Sequence, residues 1–282
     1  MSNENSASYI YRFLSVLRCF TPEQLELSTS EISRKVGLPK TTTHRMLTSL
    51  NKVGILNRNV VTGKYTIGPE LYIIGSLYLS ATDIIKAAEP VIKTVNDLTG
   101  ETVNMGIFDK GNVTVVMKEE SKYAFKFSLH VGSVLPAYAS AMGKAFLSEL
   151  TEEEINEIYP EEQLRQLTPK TIITRTVLKD ELQQVKRKGV SFNREGAHVG
   201  VEGIGSVIRD ASGRVVAAIS ISVPVFRIND TSREQLAKLM KTSASLISYR
   251  LGYSDKDKPV RDIKQLRSWF EQNITGAIAS TH

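Results

Sequence analysis

Apolar positions recur along this chain with two periods. From Ser8 to Phe20 they keep helical spacing at Ile10, Phe13, Leu14 and Leu17, which predicts a first helix ended by Pro22. Two shorter amphipathic segments flank the turn Val36-Gly37-Leu38-Pro39. Ser28 and Glu31 have the spacing of a capping box, and Ile32 and Val36 share a face behind it. Pro39 suits a helix start and not an interior, so the next helix begins near Lys40. On it Thr43, Met46, Leu47, Leu50 and Val53 share the inward side, while Thr41, Thr42, Arg45, Thr48 and Ser49 share the outward side, with His44 at the edge. Gly54 to Arg58 and Lys64 to Ile67 read as short strands about Val60-Val61-Thr62-Gly63.

Together these elements predict a winged helix-turn-helix over residues 1–69. Residues 70–82, apolar on most sides (Leu71, Ile73, Ile74, Leu77, Tyr78), predict a linker helix that pairs with its copy in a dimer. Helical spacing continues from Asp83 to Leu98 and then gives way to alternation, with a hairpin, Val103 to Phe108 and Val113 to Lys118, about Asp109-Lys110-Gly111-Asn112. Further strands are expected at Phe125 to Leu129, Val190 to Asn193, Val199 to Ile208 and Val215 to Val223, and helices at Ala139 to Leu150, Val177 to Lys188 and Asn229 to Leu251. That order is α+β, an antiparallel sheet with segregated helices over residues 83–253. A polar break opens a tail, 254–282, with an amphipathic segment (Val260, Ile263, Leu266, Phe270) and the only tryptophan, Trp269. Its pattern leaves open whether it docks on the domain, docks on a partner subunit, or frays.

Charge sharpens the first segment's role. Residues 1–68 carry 9 Lys and Arg against 4 Asp and Glu, and the remaining residues carry 27 against 26, so nearly all of the net +6 sits in the first quarter. No acid lies between Pro39 and Lys64. A hydroxyl-rich, acid-free helix face beside a basic wing suits a phosphate-lined groove, where Arg pairs with guanine and Ser or Thr reach bases and phosphates. The DNA-binding candidates are therefore Lys40, Thr41, Thr42, His44, Arg45, Thr48, Ser49, Arg58 and Lys64. A membrane surface is the competing polyanion, but no stretch of about 18 apolar residues spans a bilayer and the N-terminus is polar, so a cytosolic protein is expected.

Enzyme signatures are the competing class. Ser140-Ala141-Met142-Gly143-Lys144-Ala145 superficially resembles a phosphate loop, but Tyr138 stands where its first glycine belongs and Ala145 where a magnesium-holding hydroxyl belongs. Gly196, Gly200, Gly203 and Gly205 lack dinucleotide spacing and read as bends that keep a cavity open. His44, His130, His198 and His282 have no metal spacing, and Cys19 reads as a small buried thiol. Glu152-Glu153-Glu154 with Glu157 follow Thr151 and decorate a helix start. No catalytic residue, cofactor or metal is assigned. The alternatives kept are an enzyme bearing an N-terminal nucleic-acid-binding module and an RNA-binding or architectural winged helix.

Leu38 to Leu47, the wing ending Tyr65-Thr66-Ile67-Gly68-Pro69, Leu135 to Ala145, and Ala217-Ala218-Ile219-Ser220-Ile221-Ser222 resemble the IclR (isocitrate-lyase-regulator) family of bacterial transcription regulators over roughly residues 8–252. Thr43 stands where many members carry an aliphatic residue and Ile67 replaces the usual leucine. The resemblance implies a winged helix-turn-helix, a linker helix and a GAF-like effector-binding domain, in homodimers that often form tetramers on palindromic operators. Members commonly repress catabolic genes. It also implies an effector pocket from Ala124, Phe127, Ala141, Met142, Asn193, Val201, Gly203, Ser220 and Ser222. No Lys or Arg is among them, so an anionic effector, a small organic acid, would be held by amides near Ala141 and Met142 and oriented by Ser220, Ser222 and Asn193.

Overall fold

A computed structural model describes residues 2–21, 23–80, 84–124, 129–253 and 260–274. The chain forms two compact units, 1–82 and 83–282.

The first unit holds α1 (Ser2–Leu17), α2 (Thr29–Val36), α3 (Lys40–Lys52), the strands β1 (Leu56–Arg58) and β2 (Tyr65–Ile67), and α4 (Pro69–Ser80). α1 stops at Leu17, well before the proline expected to end it. The capping box forms: the Ser28 amide donates to Glu31 Oε2 at 2.8 Å and the Glu31 amide to Ser28 Oγ at 3.3 Å. Gly37 turns the corner at φ 66°, a left-handed conformation that costs glycine little. Thr43, Met46, Leu47 and Leu50 of α3 are buried as their spacing predicts, against Val16, Leu27, Ile32, Leu56 and Tyr65. Val53 departs from the expectation. It follows the helix as its C-cap and is 59 % exposed.

The second unit runs α5 (Ile84–Thr99), β3 (Thr102–Asp109), β4 (Asn112–Glu119), β5 (Val134–Pro136), α6 (Ala141–Leu147), α7 (Glu152–Ile158), α8 (Arg175–Lys188), β6 (Ser191–Arg194), β7 (Val201–Arg209), β8 (Val215–Pro224), α9 (Asp230–Arg250) and α10 (Ile263–Asn273). Six strands form one antiparallel sheet in the order β5-β4-β3-β8-β7-β6. The strand expected at Phe125 to Leu129 falls on residues that, apart from Leu129, lie outside the described part; the edge position belongs to β5, which the apolar pattern did not announce. The helix expected from Ala139 to Leu150 is shorter, because a 3₁₀ turn, Ala137–Ala139, precedes it and Ser140 caps it.

Alternation along the three central strands separates the sheet's faces. Val103 and Met105 of β3, Ile204 and Ile208 of β7, and Ile219, Ile221 and Val223 of β8 pack into one core with α5 and α9. That core also takes Val260, Leu266, Phe270 and Ile274, so the tail's amphipathic segment docks on its own domain as α10. The opposite face of the same strands carries Asn104, Gly106, Ala218, Ser220, Ser222, Gly203 and Gly205. It is small and polar where the first face is large and apolar. Over it lies α6, held close because a side chain at Gly205 would come within 3.0 Å of the Ala141 backbone.

Candidate DNA-reading surface and effector cavity

Along α3, Lys40, Thr41, His44, Arg45 and Ser49 are exposed, and Thr42 and Thr48 are half-buried at the edges. One helix face thus presents two cations, an imidazole and four hydroxyls with no carboxylate between them. Thr43, inside this run, is wholly buried and its hydroxyl donates to the Pro39 carbonyl at 3.1 Å. It belongs to the helix start and not to the reading face.

The wing turn is fixed by Asn59, whose Oδ1 accepts from the amides of Val61 (2.9 Å) and Thr62 (3.1 Å). Arg58 is exposed, with its guanidinium 5.8 Å from the Tyr65 ring centroid. Lys64 is half-buried, and its charge helps Ser28 hold the Glu31 carboxyl below the ordinary carboxylate range. Its field is thereby partly compensated, unlike that of Lys40. The wing tip is apolar and outward, with Val60 96 % and Val61 90 % exposed; the sequence marked these two only as a turn.

In the second unit a cavity opens between the small polar sheet face and α6. Ser140, Ala141, Met142, Asn193, Val201, Gly203, Ser220 and Ser222 line it together with Leu129, Leu135, Ala197 and His198. Seven of the nine candidates from the family resemblance therefore meet in one place. Ala124 does not: it is exposed on a bend and is no part of this wall. Phe127 lies outside the described residues. The expected bends at Gly203 and Gly205 are strand positions in β7 instead, where the missing side chain admits α6. The sequence considered His198 only as a metal ligand. It sits in the β6–β7 loop with burial pushing its imidazole below the ordinary range, so it is neutral at pH 7. No loop spacing flags such a residue.

The cavity measures about 40 Å³. Its helix cap is already engaged, since Ser140 Oγ accepts from the Gly143 amide at 3.0 Å. A larger open groove of about 790 Å³ lies outside α8 and β6, lined by charged residues. Three of its cations are engaged by carboxylates: Lys144 by Glu181 at 2.7 Å, Arg233 by Glu202 at 3.0 Å through Nη2, and Lys170 by Glu195. The residues that the family resemblance singles out gather at the smaller cavity, which is therefore the stronger candidate. Among the described residues no group of three or more His, Cys, Asp or Glu is placed to hold a metal, and no helix is long and apolar enough to cross a membrane.

The sequence matches two family models, the IclR helix-turn-helix domain over residues 10–59 and the bacterial transcriptional regulator IclR C-terminal domain over residues 76–249. It is 32 % identical over 249 residues to the HTH-type transcriptional repressor AllR of Escherichia coli K12, covering 88 % of this chain and 92 % of the relative. It is 28 % identical over 243 residues to the transcriptional repressor IclR of the same strain, covering 86 % and 89 %. The crystal structure of IclR from Thermotoga maritima superposes with a TM-score of 0.71 at 26 % identity, covering 88 % of this chain and 100 % of that one.

Proposed function

The chain belongs to the IclR family of bacterial transcriptional regulators, and we propose on that premise that it is a cytoplasmic repressor whose operator binding is set by a small organic effector held between α6 and the sheet. The observation that carries this is the meeting of Ala141, Met142, Asn193, Val201, Gly203, Ser220 and Ser222 around one cavity in the unit that carries no reading face. The reading face itself comprises Lys40, Thr41, Thr42, His44, Arg45, Thr48 and Ser49 on α3, with Arg58 and Lys64 from the wing.

A homodimer is supported by α4, where Tyr72 is 79 % and Ile74 is 52 % exposed and Leu71 is half-buried; the side chains at 76–80 lie outside the described part. Two copies related by a two-fold axis would read an inverted repeat. Ligand sites usually enclose about 300–1,000 Å³. The 40 Å³ cavity is far smaller, so effector binding requires its walls to part, and an effector that binds the parted form preferentially shifts the population toward it. Regulation, and not catalysis, is favoured because the two family models, matched over residues 10–59 and 76–249, are both those of a transcriptional regulator.

Selection of bound sequences from a random duplex pool is the test. An inverted repeat whose recovery is lost in Arg45→Ala supports the assignment, and recovery of unrelated sequences removes it.

A further inference from the structure

The wing ends in the two most exposed large apolar side chains of the described residues, Val60 and Val61. The backbone beneath them is fixed. Asn59 Oδ1 accepts from the amides of Val61 and Thr62, the Asn59 amide donates to the Lys64 carbonyl at 2.8 Å, and the Gly63 amide donates to the Asn59 carbonyl at 2.9 Å, with Gly63 at φ 68°. The hairpin leaves from the C-terminal end of α3, where the Ile55 amide donates to the Leu50 carbonyl at 3.0 Å. It is also tied to the segment before α2, because Leu27 and Tyr65 exchange amide–carbonyl bonds at 3.0 and 2.8 Å. Single exposed apolar side chains are ordinary on a protein surface. An adjacent pair on a fixed tip is a different case, since β-branched valine has little rotamer freedom to lose when something covers it. The surroundings indicate what covers it. No acid occurs between Glu31 and Glu70, and Arg58, at the base of the tip, is exposed with its Nη2 3.6 Å from where a side chain on Gly63 would begin. An apolar tip with a cationic base and no carboxylate suits a nucleic-acid groove better than a protein surface.

We propose that Val60 and Val61 enter the minor groove beside the major-groove stretch that α3 reads, and that they select base pairs lacking the 2-amino group of guanine. Val60 lies two residues, or about 7 Å of extended chain, beyond Arg58, the last paired position of the hairpin. That reach carries the tip over one phosphate strand while Arg58 stays at the phosphates. A tip that met phosphates alone would carry cations or hydroxyls, as the outward face of α3 does. Valine can neither donate nor accept a hydrogen bond, so what it reads in a groove is space. In the minor groove A·T and T·A present only acceptors, and G·C adds one protruding group, the guanine 2-amino donor. Two branched side chains against that floor collide with the amino group and leave it without water or an acceptor, whereas an A·T floor admits them. Apolar side chains inserted from the minor-groove side are used in this way by proteins that read groove shape and not base edges.

The proposal rests on α3 reading the major groove, and the experiment separates the two. The duplex is the inverted repeat that full-length protein selects from a random pool, remade with A·T, G·C or I·C at the pairs flanking each half-site and between them. Inosine keeps the major-groove edge of guanine and lacks its 2-amino group. In competition titrations the unaltered protein should bind the A·T and I·C duplexes alike, and each more tightly than the G·C duplex by about fivefold or more. In the double variant Val60→Ser/Val61→Ser the three duplexes should be bound alike, with the salt slope unchanged because no charge is lost. Both side chains are exposed, so the substitution removes no packing. Arg58→Ala, in contrast, should weaken all three duplexes together and lower the salt slope. I·C bound as weakly as G·C, or a preference that survives in the double variant, would overturn the proposal. So would altered sedimentation of the DNA-free double variant, which would make the tip a contact between copies. If Arg45→Ala abolishes recovery of the repeat while the unaltered protein binds the three duplexes alike, the reading face stands and only the role of the wing tip fails. If no inverted repeat is recovered at all, the reading face fails and the proposal with it.

Discussion

The proposed DNA-reading face and the proposed effector cavity are built in opposite ways. The face is local: α2, its glycine corner and α3 come from residues 29–52, and their polar side chains already stand outward. The cavity is assembled from β5, α6, β6, β7, β8 and the loops between them, spanning residues 129 to 222, and it is small. A surface that must meet a rigid duplex can be preformed. A site that must change state with its ligand gains from a closed form that the ligand alone can relieve.

The largest effect that sharpens this contrast comes from beneath the cavity. Phe270 on α10 is buried against α5 and α9 beyond the end of the family model, so Phe270→Ala should destabilise the second unit by about 3–5 kcal/mol. Calorimetry should show one unfolding transition moving and a first-unit transition holding its place. If both move equally, the two units do not unfold separately.

Arg45→Ala should cost about 1–3 kcal/mol of operator affinity and relax base preference at one position, if its exposed guanidinium reads a guanine. Competition titrations against point-substituted duplexes check this. An unchanged affinity and preference would take α3 out of the groove.

Much of this contrast was legible beforehand, and the exceptions share a cause. Helical periodicity located Thr43, Met46, Leu47 and Leu50, and it failed at Val53 because the helix ends one residue earlier. Alternation and the family motifs located Ser220 and Ser222, since neighbours on β8 necessarily face opposite sides. Ser140, Leu129 and His198 were missed because they come from a cap and loops, which have no period, and Leu135 because its strand β5 has only three residues, too few to show alternation. The tail's apolar stripe was visible, but an amphipathic pattern names a face and not its partner.

A smaller effect concerns pH. Burial lowers the His198 pKa, so at acid pH the unfolded chain binds a proton that the folded chain resists. Stability is thus full above the ordinary histidine range, near pH 6.5, and declines as pH falls through it. Melting curves from pH 7.5 to 5.0 should fall less steeply in His198→Gln. Equal slopes would place His198 in solvent. The smallest effect expected is in salt dependence: Lys40→Ala should lower the slope of log affinity against log salt by about one, and Lys64→Ala by less, because Glu31 already answers part of its charge. Titrations at several salt concentrations that give equal slopes for the two variants would refute that difference.

The central claim is that the cavity and the reading face are coupled, and thermodynamic reciprocity tests it most directly. Operator affinity is measured with and without a saturating cavity ligand, and ligand affinity with and without operator. The account predicts the same factor in both, in the range of about 5–150-fold. A ligand that fills the cavity, is displaced by Ser220→Val, and leaves operator affinity unchanged would contradict it.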